Sequence, residues 1–365
     1  MKKLLAMLLA LMMVLSFAAC SNDEQPVDDQ SGSSDETSST TEESQDPVDE
    51  EPTAATYTLG MGINVSTASS VEGTAQTDAT VAVVVLDAEG KIVSVQIDCA
   101  QTKLSTVDGV LGDLAECDTR SKNTKKEDYG MAAVMGVPEW YVQVDALEEA
   151  LVGMTAEEVA AIELVEHNGH NVALNDEVIY AACTMDLTGF KAAIAKACAD
   201  EYAKEFTAEN WTLGLGVVTD VTSSTDATAD ANGTAAFYTE FAGVVYAEDG
   251  TIVTSLLDVI QVKVGFDATG AMTNAADYDA NFKSKKELKE GYGMQGVSAI
   301  GLEWMDQTTN FEAAIVGMTA EEVAAIATVE SNGHQVPADE ALHAACSMDI
   351  TGFQAVITDS LNNVK

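Results

Sequence analysis

One module occurs twice in this chain, and the duplication limits its architecture more than any other feature. The segment Gly153 to Ile162, GMTAEEVAAI, returns unchanged as Gly317 to Ile326. Tyr57-Thr58-Leu59-Gly60-Met61-Gly62 returns as Trp211-Thr212-Leu213-Gly214-Leu215-Gly216, and Asn168-Gly169-His170 as Asn332-Gly333-His334. AACTMDLTGF at Ala181 to Phe190 becomes AACSMDITGF at Ala344 to Phe353. A shared order in both halves marks a duplication rather than a chance motif. The repeats divide the chain at 57–206 and 207–365, read as two tandem domains that each fold alone.

Both repeats have the same coarse layout. A strand ending in Gly-x-Gly comes first. A hairpin follows, Thr80 to Leu86 and Ile92 to Ile97 around Asp87-Ala88-Glu89-Gly90, and in the second repeat Gly243 to Tyr246 and Ile252 to Leu257 around Glu248-Asp249-Gly250. A Lys-rich stretch leads to a helix near Val137–Val152 or Leu302–Val316. Thr155-Ala156-Glu157-Glu158 and Thr319-Ala320-Glu321-Glu322 read as capping boxes. Phe190 to Tyr202 and Phe353 to Leu361 read as final helices. Strands first and helices later predict an α+β class: two tandem homologous domains, each an antiparallel sheet with helices packed on one face.

The segment before the repeats sets an address. Lys2 and Lys3 precede an apolar run from Leu4 to Phe17, then Ala18-Ala19-Cys20. The charged start, the short apolar run and the small-residue site read as a secretory signal peptide over 1–20. Ala18-Ala19-Cys20 resembles a bacterial lipobox, with Phe17 where Leu is usual, and implies diacylation of Cys20 and a membrane anchor. Residues 21–56 are acidic and rich in Ser and Thr, with almost nothing apolar, and read as a disordered, extended tether. The expected location is extracytoplasmic, lipid-anchored to a bacterial cell membrane.

Sixty acidic against 17 basic residues give a formal charge of −43, which makes nucleic acid and anionic lipid poor partners for the protein as a whole. Eight of those basic residues fall in two equivalent stretches: Arg120, Lys122, Lys125 and Lys126, then Lys283, Lys285, Lys286 and Lys289. Beside Tyr129-Gly130-Met131 and Tyr292-Gly293-Met294, such cations suit a phosphate and a stacked planar ring; a solvated loop balancing nearby acids is the other reading. Asp98, Gln101 and Lys103 recur as Asp258, Gln261 and Lys263 at a strand end, either lining the same pocket or pointing outward from the core.

The acidic-Gly hairpin followed by Ile-Val-Ser-Val-Gln-Ile-Asp, the Lys-Lys-Glu…Tyr-Gly-Met stretch, and a Thr or Ser before a C-terminal helix resemble the FMN-binding-domain lipoproteins. These are relatives of the flavin-carrying subunits of bacterial Na⁺- and H⁺-linked redox pumps. The resemblance spans most of each repeat and rests on the order of its motifs. In that family a flavin transferase attaches FMN through its phosphate to the Thr of a Ser-Gly-Ala-Thr-like motif. By position, Thr184 and Ser347 are the acceptors. Ala182 and Ala345 replace the motif glycine, and Val178 and Ala341 replace an aspartate six residues earlier, which puts covalent attachment in doubt. The resemblance implies FMN as cofactor, with a flavin transferase and redox partners. Thr184, Lys122, Lys125, Lys126, Tyr129 and Gln101 form the first candidate site; Ser347, Lys283, Lys285, Lys286, Tyr292 and Gln261 form the second. A half-buried strand leading to a helix capped by Thr188 or Thr351 is the structural alternative at the acceptor segments.

Other chemistry is sparse. His167 and His170 look like a metal pair, but Ser331 stands at the first position in the second repeat and Asn-Gly is a turn signal, so no metal is expected. Besides Cys20 there are five cysteines, an odd number that argues against a disulfide framework and leaves Cys99–Cys117 as the one bridge worth testing. Nothing points to an enzyme. Two function classes follow: a lipoprotein relaying electrons through flavin, or a cofactor-free surface lipoprotein acting as a binding or structural module.

Overall fold

A computed structural model describes residues 55–274 and 282–365; the signal, Cys20 and nearly all of the tether lie outside them. The first repeat contributes β1 (Thr56–Ser66), β2 (Thr74–Leu86) and β3 (Ile92–Ser105). Helices α1 (Lys122–Lys125), α2 (Met131–Met135), α3 (Trp140–Leu151) and α4 (Ala156–Ala161) follow. A small hairpin, β4 (Val165–His167) and β5 (His170–Val172), precedes α5 (Glu177–Ala182), α6 (Thr188–Cys198) and β6 (Lys204–Thr207). The second repeat runs through β7 (Trp211–Asp220), β8 (Gly233–Ala247), β9 (Ile252–Phe266), α7 (Lys285–Leu288), α8 (Trp304–Ala314) and α9 (Ala320–Ala324). It ends with β10 (Thr328–Ser331), β11 (His334–Pro337), α10 (Glu340–Ala345) and α11 (Thr351–Ser360). The class is mixed α and β with antiparallel sheets ordered β3-β2-β1-β6 and β7-β8-β9.

The apolar run Thr80 to Leu86 has no polar alternation because both faces of β2 are covered. Val81, Val83 and Val85 point into a core that also holds Leu213, Leu215, Phe237 and Phe241 from the second sheet. Ala82 and Val84 point the other way, onto Trp140, Leu147, Phe190 and Ile194 of the helices. In the second repeat Ala242 and Val244 meet Trp304, Phe311 and Phe353 likewise. Side chains on a strand alternate faces, so a fully apolar strand needs two partners. The layers run helices, sheet, sheet, helices. The described residues from 55 onward form one compact unit, and its largest core is built from both repeats.

Gly-x-Gly does not end the first strand; it lies inside β1 and β7. A Cβ at Gly62 would stand 2.1 Å from the Ala193 carbonyl oxygen, and one at Gly216 would stand 1.9 Å from that of Val356. The missing side chain lets α6 and α11 lie directly on the strand backbone. The hairpins extend further than the sequence indicates, since β2 and β3 pair from Thr74↔Ser105 to Leu86↔Ile92. Both capping boxes form, with Thr155 and Thr319 accepting from the backbone of Glu158 and Glu322. Thr188 and Thr351 are not N-caps: each opens its helix, and Asp186 and Asp349 accept from their backbone N–H at 2.9 and 3.0 Å. All five described cysteines are free. Cys99 faces the helices while Cys117 packs toward the shared core, on the opposite side of the sheet.

Two buried glutamates fasten the layers reciprocally. Glu312 of α8 accepts from the Leu257 backbone at 2.6 Å and pairs with Lys286 at 2.7 Å and with Lys204 of the first repeat at 2.6 Å. Its counterpart Glu148 of α3 accepts from the Ile97 backbone at 2.6 Å and pairs with Lys365 of the second repeat, which also meets Asp145. Lys204 lies beside Leu59 on the edge of β1, and Lys365 exchanges two 2.9 Å backbone hydrogen bonds with Leu213 on the edge of β7. Each repeat thus sends one lysine into the other.

Candidate functional site

Each repeat carries a cavity where the sheet end, the Lys-rich turn, α3 or α8, and the β-hairpin before the last helix meet. The first has a volume of about 560 Å³ and the second about 720 Å³. Both fall in the range of roughly 300–1,000 Å³ that small-molecule sites occupy.

The cavities are assembled by the same local devices. A buried aspartate anchors the turn. Asp98 accepts from the backbone of Cys99 at 2.6 Å and of Asn123 at 3.0 Å; Asp258 accepts from Val259 at 2.8 Å and Lys286 at 3.2 Å. Burial pushes both carboxyls up to about 6, against the pull of these donors. Ser121 and Ser284 cap the turn, and the next residue, Lys122 or Lys285, enters the cavity. Lys122 Nζ lies 5.0 Å from the Tyr129 ring centroid and 5.6 Å from that of Trp140. Lys285 Nζ lies 5.0 Å from Tyr292 and 5.2 Å from Trp304. These are cation–π distances, and the rings shield each ammonium from water.

The opposite wall presents the hydroxyl expected from the sequence. Gln143 Oε1 accepts from the Thr184 backbone at 2.9 Å and its hydroxyl at 3.0 Å; Gln307 Oε1 accepts from Ser347 at 2.8 and 3.1 Å. The amide orientation follows from the other end, where Nε2 donates to the Pro138 carbonyl at 2.9 Å or the Leu302 carbonyl at 3.0 Å. Glu139 and Glu303 fix the remaining wall by accepting from the backbones of Met131 and Met294, both at 2.9 Å. His167 and His170 line the first cavity from the hairpin turn; Ser331, His334 and His343 line the second.

Of the residues singled out in the sequence, Thr184, Lys122 and Tyr129 come together in the first cavity, and Ser347, Lys285, Tyr292 and Gln261 in the second. Gln101 stands behind Tyr129, accepting from its hydroxyl at 3.3 Å and donating to Asp78 at 2.6 Å. The remaining lysines do not join. Lys125 sits 3.6 Å from Asp118, Lys126 and Lys283 are exposed, and Lys286 turns away to Glu312. The expected basic patch is absent among the described residues because these cations are spent on local acids or on solvent, leaving one lysine per cavity. Trp140, Gln143, Phe190 and their counterparts line the cavities without having been singled out as site residues, whereas Met131 and Met294 belong to the Tyr-Gly-Met stretch named from the sequence. For the tryptophans a signal is present: Pro138-Glu139-Trp140 and Leu302-Glu303-Trp304 open the two helices at matching positions.

No family model, curated protein or solved structure matches the chain.

Proposed function

We propose that this protein is a membrane-anchored extracytoplasmic lipoprotein made of two copies of one α+β module, 57–206 and 207–365, each holding a planar, phosphate-bearing ligand, with FMN the favoured candidate. The reading is carried by one observation: two cavities of ligand size repeat the same lysine, tyrosine, tryptophan, methionine, glutamine and hydroxyl. Trp140, Phe190 and Met131, or Trp304, Phe353 and Met294, suit a ring. Lys122 or Lys285 supplies the charge for an acceptor or phosphate oxygen. Bound flavin would supply reversible electron transfer, and these residues would supply position and polarity.

Thr184 and Ser347 reach the cavities as candidate attachment points. Each donates its proton to a glutamine carbonyl, which is no base, so esterification would depend on a transferase. Noncovalent retention is favoured by that arrangement and by Ala182 and Ala345 at the motif's glycine position. A cofactor-free binding module is the second reading, favoured by the single lysine per cavity.

Protein purified from its native host should show flavin absorbance, and in calorimetry FMN should bind more tightly than riboflavin. A colourless preparation that binds neither, with no flavin mass on Thr184 or Ser347, removes the flavin reading and leaves the cofactor-free one.

A further inference from the structure

The second cavity contains a largely buried acid and a largely buried base that feel each other's charge but, among the described residues, form no hydrogen bond or ion pair with each other or with another side chain. Glu240 of β8 lines it, and its carboxylate lies against Gly352, where a Cβ would fall 1.9 and 2.1 Å from the two oxygens. Glycine at that position makes room for the acid. Glu240 Oε2 is shielded from water and has no hydrogen-bond partner among the described residues. Across the cavity, Lys285 is held under Tyr292 and Trp304, with no carboxylate within 4.0 Å among the described residues. A buried ionisable group without a partner is costly, and native structures retain one where something else completes it.

The first cavity lacks this arrangement. Thr80 occupies the position of Glu240, as the strand registers Gly62↔Ala82 and Gly216↔Ala242 show. Its nearby acid, Asp78, already accepts from Gln76 and Gln101 at 2.6 Å each. Lys122 in that cavity is met by Tyr129, through its hydroxyl and its ring.

Resting on the reading that each cavity takes a planar ring, we propose that the second cavity selects a heteroaromatic with an imide edge, its N–H donating to Glu240 and an adjacent carbonyl accepting from Lys285. The first cavity takes the same ring without reading that edge. Burial, the dominant influence on both groups, pushes Glu240 up to about 7 and Lys285 down to about 8. Both displacements are those of groups short of partners.

The test uses the full chain and lumiflavin, an isoalloxazine without a side chain, beside its N3-methyl analogue, which lacks the imide N–H. In a chain whose third tryptophan, Trp211, is replaced by Phe, Trp140→Phe leaves Trp304 fluorescence to report the second cavity, and Trp304→Phe leaves Trp140 to report the first. In the second cavity lumiflavin should bind at least about tenfold tighter than the methylated analogue, the scale of one buried hydrogen bond. The first cavity should bind both within about twofold. Glu240→Thr, the first cavity's residue, should erase the preference, whereas Glu240→Gln, which keeps an acceptor oxygen, should retain most of it. Lys285→Met should weaken both ligands. Equal affinities in the second cavity overturn the imide inference while leaving ring binding intact. Quenching of neither tryptophan overturns both. If Glu240→Thr does not fold, the analogue comparison in the chain that keeps Trp304 alone still decides.

Discussion

The two repeats agree where backbone geometry decides and differ where only a ligand would notice. Both keep glycine beneath the last helix, a buried aspartate under the Lys turn, and a glutamine that holds a hydroxyl. The cavity walls have drifted: Asp78 and Thr80 against Tyr238 and Glu240, Cys99 against Val259, His167 against Ser331, Tyr180 against His343. A glycine whose Cβ would fall 1.9 or 2.1 Å from a helix carbonyl oxygen has no substitute, while a wall residue facing open volume has many. The divergence therefore separates one common frame from two differing cavities, and the frame can be tested against the cavities.

The most severe test cuts the comparison in half. Each sheet buries one face on the other, so 57–206 or 207–365 alone would expose Val81, Val83 and Val85 or Phe237 and Phe241. We expect neither half to melt cooperatively as a monomer, and we expect the two co-expressed halves to purify together. A monomeric half with a sharp denaturant transition would show that the shared core is dispensable.

Next in size is the reciprocal pair of glutamates. Glu312 is fully buried between two lysines, one of them nearly as buried, and removing it strands Lys286. Glu312→Ala should cost about 3–5 kcal/mol. Glu148 faces Lys365, which is 40% exposed and keeps Asp145. Glu148→Ala should cost about 1–3 kcal/mol, chiefly for the Ile97 N–H left without an acceptor. Denaturant midpoints of the two variants measure the asymmetry; equal losses would mean that solvent access to the lysine does not matter.

The third test concerns the aspartates beneath the turns. Asp98 is fully buried, and its Oδ2 has no partner among the described residues. With its pKa raised from 3.8 to about 6, the folded state holds a proton that the unfolded state releases earlier. Its stabilising effect is complete below pH 4, fades as pH rises, and is gone above pH 6. The loss amounts to about 3 kcal/mol by proton linkage. Asp98→Asn cannot ionise, so wild-type stability should fall relative to the variant between pH 4 and 7. Parallel pH profiles would show that the carboxyl is hydrated after all.

Much of this frame was legible in the sequence, and the reasons are local. Capping boxes, the Asn-Gly turns and the helix positions depend on neighbours within a few residues. Asn168 and Asn332, with φ of 54° and 53°, sit in the left-handed conformation that Asn-Gly tolerates. What was not legible required knowing both sides of a contact. The unbroken apolar run at Val81 to Val85 is equally consistent with a lone buried strand, and only the opposing sheet explains it. Gly60 and Gly62 read as the end of a strand because a glycine's use as a landing surface for a distant helix leaves no local trace. In the Lys-rich stretches, spacing made the lysines equivalent, but one position in each turns inward. Of the others, Lys125 meets the nearby Asp118, Lys286 and Lys289 meet the sequence-distant Glu312 and Glu201, and Lys126 and Lys283 face solvent.

The smallest expected effect separates the site from the frame. Thr184 and Ser347 each give two hydrogen bonds to one glutamine oxygen, one from the backbone and one from the hydroxyl. Alanine at either position removes only the second bond, and Gln143 or Gln307 keeps an acceptor role toward the backbone and a donor role toward Pro138 or Leu302. No buried group is left without a partner, so each substitution should cost at most about 1 kcal/mol. Thr184 is exposed and Ser347 half-buried, which places Thr184→Ala at the lower end and Ser347→Ala at the upper. Denaturant titration of both variants checks this directly. A loss above about 2 kcal/mol would make the hydroxyl part of the scaffold. With stability unchanged, a difference in flavin binding between these variants and the wild type would report the hydroxyl's own contact with the proposed ligand, because the other cavity walls remain in place.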